Sequence, residues 1–159
     1  MVRRLAQSYL QAPFLTQALG LTVLLGAVLF WMSARQDGFI NLWLSTDQQG
    51  RLSFERKDYA AAAAAFQDPA WQGVAHYRNG GYAEAAEAFG RIGSAEAFFN
   101  RGNAFMKRFE FAKAITAYQQ AVTEAPDWQA AQENLALARY TLDYVEDARE
   151  QGSTGKLEA

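Results

Sequence analysis

One pattern recurs three times along the chain: an aromatic residue, two residues, an alanine, three residues, then a second aromatic. It stands at Tyr59/Ala62/Phe66, Tyr82/Ala85/Phe89 and Phe111/Ala114/Tyr118, and nine residues before each set lies a glycine, Gly50, Gly73 or Gly102. Four positions kept in register over three units mark a tandem array of one supersecondary unit. Alanine and an aromatic three or four residues apart share one face of a helix. The glycine belongs to a preceding helix, which it lets approach its partner closely. Between the two lie turn-like strings, ERKD before Tyr59, RNGG before Tyr82 and KRFE before Phe111. Each unit is therefore expected to be a pair of antiparallel helices that cannot bury its apolar face alone. Stacked units share a core, and the last needs a closing helix with a polar back, for which Gln129 to Glu150 is the candidate. Only three prolines and long alanine runs agree with an all-α chain.

Ahead of the repeats, Phe14 to Ala34 carries no formal charge and as a helix would extend ~30 Å, about one hydrocarbon core. A transmembrane helix is expected there, with Trp31 at an interface and Arg35 closing the segment. A cleaved secretory signal is the alternative, since Arg3 and Arg4 precede the apolar run, but Met32 stands where a small residue is wanted before the cut. Arg3 and Arg4 before the span, with Arg35 and Asp37 nearly cancelling after it, place the N-terminus in the cytoplasm by the positive-inside rule. A single-pass inner-membrane protein with periplasmic repeats is the resulting expectation. Phe39, Ile40, Leu42, Trp43 and Leu44 form a second apolar patch, too short to cross, and Ser45-Thr46-Asp47 then reads as a helix cap. The expected organisation is a tail over 1–13, the span over 14–34, an interfacial linker over 35–46, repeats and closing helix over 47–150, and a flexible tail over 151–159.

The stretch from Ala95 to Trp128, AEAFFNRGNAFMKRFEFAKAITAYQQAVTEAPDW, resembles a complete tetratricopeptide repeat of 34 residues. Gly102, Phe105, Ala114, Tyr118, Ala121 and Pro126 stand in the family's signature places. The earlier units are shorter, 23 residues from Gly50 to Gly73 and 29 from Gly73 to Gly102, so their helices must be clipped. The string from Leu42 to Phe105, with the preceding apolar run, is similar to the C-terminal part of bacterial Bat proteins. Those are membrane proteins that join a von Willebrand factor A domain to tetratricopeptide repeats and occur near MoxR-type AAA+ ATPases. This chain has no DxSxS string, so the resemblance implies that the von Willebrand A domain comes from a partner. It implies a membrane-anchored scaffold for protein–protein interaction serving chaperone-like or stress-related assembly, with the ATPase an indirect partner. A permanent structural subunit of a larger membrane complex is the alternative.

In tetratricopeptide proteins the first helix of each unit lines a concave groove, where asparagines bind the backbone or C-terminal carboxylate of an extended peptide. Resemblance therefore singles out Asn100, Asn103 and Asn134. Asn100 and Asn134 are one repeat of 34 residues apart and should project from equivalent points on adjacent helices. Lys107, one turn beyond Asn103, and Arg78, its counterpart in the preceding unit, would add charge. Tyr77, Trp71 and Met106 would add apolar contact, although aromatics at helical spacing are more often core. Asn100 and Asn103 as satisfied polar bridges between stacked helices is the other reading, and Phe99 stands where carboxylate-clamping members carry a lysine.

Several functions find no support in the residues. A net charge of −2 without an Arg/Lys stripe speaks against nucleic acid. The lone His76 has no positioned partner for acid–base work, and a packing role is expected for it. Gly80-Gly81 lacks the Lys-Ser/Thr of a phosphate loop, and the carboxylates fall at spacings of solvated helix faces. No catalysis, cofactor or metal is expected.

Overall fold

The computed structural model of the chain describes residues 16–31 and 43–154. They form eight helices in two compact units, one within Met1–Ser45 and the other Thr46–Ala159. The first unit holds α1 (16–31). Among the described residues no helix is long and apolar enough to cross a membrane. This corrects the expected transmembrane helix over 14–34 and with it the single-pass inner-membrane placement. Of the expected span, 14–15 and 32–34 lie outside the described residues, as do Arg3, Arg4, Arg35 and the patch residues Phe39, Ile40 and Leu42.

The second unit is a series of helical hairpins: α2 (Thr46–Glu55) with α3 (Tyr59–Ala65), α4 (Pro69–Arg78) with α5 (Tyr82–Phe89), and α6 (Ala95–Lys107) with α7 (Phe111–Glu124), followed by α8 (Gln129–Thr154). The recurring glycine and aromatic meet inside every hairpin. A methyl carbon added at Gly50 would lie 2.8 Å from Phe66, at Gly73 2.7 Å from Phe89, and at Gly102 2.5 Å from Tyr118. Each ring thus lies flat on bare helix backbone sixteen residues earlier in the chain, and a glycine is needed because any side chain would displace the ring. Around these three rings the core is built almost wholly of alanine, including Ala62, Ala75, Ala85, Ala104, Ala114 and Ala138. Small side chains let helices pack closely, so each aromatic supplies the bulk of its hairpin's buried volume.

The turns repeat as faithfully as the core. Lys57, Gly80 and Phe109 adopt left-handed backbone with φ of 63°, 82° and 59°. The amide after each reaches back to close the first helix: Asp58 to the Ser53 carbonyl at 2.9 Å, Gly81 to His76 at 2.9 Å, Glu110 to Phe105 at 3.0 Å. That is the Schellman closure, which satisfies carbonyls a helix end leaves open. Starts are capped where the chain can do so: Asp58 accepts from the Ala61 amide, Asp68 from Ala70 at 2.7 Å ahead of Pro69, and Ser94 from Ala97. Asp47, expected in a helix cap, instead accepts the Gln67 amide at 2.8 Å, tying the start of α2 to the chain leaving α3.

The shortening of the first two units falls mainly on their second helices, seven residues in α3 and eight in α5 against fourteen in α7. Phe66 leaves the first in extended backbone, with Asp68-Pro69 already starting α4, and Gly90 follows the second. The closing helix runs to Thr154, beyond Glu150, and residues 155–159 lie outside the described part.

Candidate partner-binding groove

The first helices α4, α6 and α8 supply one face of the stack, and two adjoining features occupy it. Between α4 and α6 an open cleft of 170 Å³ is walled by Trp71, Val74, Ala97 and Asn100, with Phe89 and Ile92 among its other lining residues. Trp71 is fixed in place, stacked on Phe66 at 5.7 Å and 23° and met edge-on by Phe54, with the Arg51 guanidinium 6.0 Å from its ring centre. An anchored, partly exposed indole beside an apolar hollow accepts an apolar side chain at little ordering cost.

Between α6 and α8 lies a polar knot. The Tyr118 hydroxyl donates to Asn103 Oδ1 at 2.7 Å, and Asn134 Nδ2 donates to the same oxygen at 3.0 Å. Asn134 Nδ2 also lies 3.5 Å from the Tyr118 oxygen. With both lone pairs of its oxygen taken, the Asn103 amide has one orientation only. Its NH2 group, and the Asn134 carbonyl oxygen, make no hydrogen bond among the described residues. Burial pushes the Tyr118 phenol up to about 12, the Asn134 bond to its oxygen lowers it in part, and Tyr77 raises it. The phenol therefore stays protonated and acts as a donor that aims Asn103.

The other residues singled out from the sequence are placed differently. Asn100 is half-buried in the wall of the cleft. Met106 packs against the cluster of Ala114, Tyr118 and Ala138. Tyr77 packs on the Ala85, Phe89 and Ala104 cluster and meets Tyr82 edge-on at 5.2 Å, so both are packing residues. Lys107 and Arg78 end α6 and α4 and are exposed. His76 is half-buried and contributes its carbonyl to the turn. The 34-residue spacing pairs Asn100 with Asn134, whereas the bond that forms joins Asn134 to Asn103, one turn along α6. The sequence reading missed the Tyr118 hydroxyl. Its signal was present: the residue over the glycine is phenylalanine in two hairpins and tyrosine in the third, and a buried hydroxyl demands a partner. Among the described residues no three histidine, aspartate or glutamate side chains converge on a metal-sized site.

Residues 95–127 match the family model of the tetratricopeptide repeat, which covers α6, α7 and the turn into α8. No curated protein matches the chain.

Proposed function

We propose that this tetratricopeptide-repeat chain is an adaptor without chemistry of its own, holding an extended segment of a partner protein along the face of α4, α6 and α8. The observation that carries this reading is the Tyr118–Asn103–Asn134 knot, which leaves amide donors and a carbonyl acceptor unpaired beside an apolar cleft. A peptide backbone offers the matching acceptor and donor, and one of its apolar side chains fits against Trp71 and Val74. Repeats of this family suit protein–protein interaction in general. The finer reading names the partner as a von Willebrand A protein of the Bat type, with a MoxR-type ATPase reached through it; the similarity of the string from Leu42 to Phe105 supports that choice.

The test is quantitative co-purification with the tagged full chain and its Asn100→Ala/Asn134→Ala variant. Two hydrogen-bonding side chains at about 1 kcal/mol each make the expected weakening on the order of thirtyfold. Equal recovery of the same proteins by a variant with unchanged helix content overturns the groove. Recovery of proteins without a von Willebrand A domain overturns the finer reading alone.

A further inference from the structure

Within the stack, one face of α6 is covered by the rest of its hairpin and by α8 and the turn into it. On α6 that face carries Phe99, Asn103 and Met106. Phe99 packs on Tyr118 at 5.8 Å and Trp128 at 4.6 Å, Asn103 is bonded to Asn134, and Met106 lies on the third core cluster. Thirty-four residues later α8 places Glu133, Leu137 and Tyr140 at the same three positions. Leu137 is 54% exposed, Tyr140 68%, and Tyr144, one turn on, 65%. These three fall at i, i+3 and i+7, a single row along the helix. The opposite face of α8 is seated on the stack through Ala131 and Ala138. The expected polar back of the closing helix is thus an apolar row, presented where a further helix would pack.

The charges around the row say what kind of helix fits. Of the seven charged residues in α8 five are acidic and two are arginines. At about 100° per residue, Glu133 and Asp147 fall on the face of the row and Asp143 borders it, while Arg139 and Arg149 lie about 140° round the helix. Glu133 accepts from Gln129 at 2.7 Å, and none of these three acids forms an ion pair among the described residues. A second copy is a poor occupant. Residues 133 and 147 are equidistant from 140, so antiparallel pairing of two α8 rows about Tyr140 sets Glu133 against Asp147, and parallel pairing sets each acid against itself. Like charges at such positions repel.

We infer that the row Leu137, Tyr140 and Tyr144 on α8 docks a basic amphipathic helix of a partner protein, at a surface separate from the groove. Apolar residues at i, i+3, i+4 and i+7 cover the row, and flanking lysines or arginines meet Glu133, Asp143 and Asp147.

Fluorescence anisotropy with the full chain tests this, using three labelled peptides of about 18 residues, roughly five helical turns: a leucine-striped helix with lysine flanks, the same stripe with glutamate flanks, and a scramble of the lysine peptide. Binding of the lysine-flanked helix at least tenfold tighter than either control is expected. That binding should weaken with salt and fall at least tenfold in Leu137→Ser/Tyr140→Ser, whose exposed positions leave the fold intact. The Asn100→Ala/Asn134→Ala variant should bind the peptide as the parent does, which separates this surface from the groove. Equal binding of the scramble, no binding, or indifference to Leu137→Ser/Tyr140→Ser overturns the inference. So does a dimer in sedimentation velocity that the Leu137→Ser/Tyr140→Ser variant abolishes, which would give the face to a second copy.

Discussion

Replacing Gly102 by alanine puts a methyl carbon 2.5, 2.6 and 2.9 Å from three atoms of the Tyr118 ring. Carbon atoms in contact prefer about 3.5–4.0 Å, so the ring must retreat by about 1 Å. It has little room: Tyr118 is 1% exposed, is bounded by Phe99, and is held by its hydroxyl on Asn103. Overpacking of this kind costs about 1–3 kcal/mol, and loss of the hydroxyl bond adds about 1 kcal/mol. Alanine returns about 1 kcal/mol through its helix propensity. The expected net is a loss of about 1–3 kcal/mol, opposite in sign to the usual effect of this substitution in a helix. Urea unfolding of the full chain followed by circular dichroism measures it, with Gly93→Ala as control because a methyl there meets open space. A Gly102→Ala chain as stable as the parent refutes the reasoning. A second arm tests the cause: in a Tyr118→Leu background the ring is gone, so Gly102→Ala should cost markedly less, and an unchanged cost refutes the attribution to the ring.

Phe109→Gly should stabilise the chain by about 0.5 kcal/mol, since left-handed backbone costs a bulky residue about 1–2 kcal/mol, glycine gives back about half through its freedom when unfolded, and the 79% exposed ring loses only its edge-on contact with Phe111 at 6.2 Å; a lower urea midpoint would contradict this. Tyr118 should ionise near 12 in an ultraviolet titration of the folded chain, above the ordinary 10.0. The folded state holds that proton more tightly than the unfolded one, so stability is intact below pH 10 and falls as pH rises from 10 towards 12; urea midpoints at about pH 9 and about pH 11 that agree would count against the burial of the phenol. Asp68→Ala removes the 2.7 Å acceptor at the start of α4 and should cost about 1 kcal/mol, while Asp68→Asn should keep most of the stability, both read from urea midpoints.

The repeat was legible because each hairpin imposes the same two demands on the sequence, bare backbone at the glycine and a ring sixteen residues on to cover it. Length differences showed that helices had to be clipped, but placing the deficit in α3 and α5 required knowing where the second helices end, at Ala65 and Phe89. The knot around Asn103 was only half visible. Spacing identifies equivalent points on successive first helices, whereas bonding depends on how far one is slid along the other, and a slide of one turn gives Asn134 to Asn103 instead of Asn100. Leu137, Tyr140 and Tyr144 were overlooked because the many charges of α8 suggest a polar back until one asks on which side of the helix they fall. The apolar run near the N-terminus was plain, but among the described residues no helix is long and apolar enough to cross a membrane.

In the repeat unit each helix packs chiefly against the helix before it and the helix after it in the chain, most extensively α6 with α7 and least α3 with α4. Such an array behaves as a zipper with teeth of unequal strength. Pulled from its ends, it should lengthen one hairpin at a time, starting where α3 offers seven residues of grip and finishing at α6 and α7. The strongest tooth is the hairpin that carries Asn103 and Tyr118, so it would be the last part of the stack to open under load.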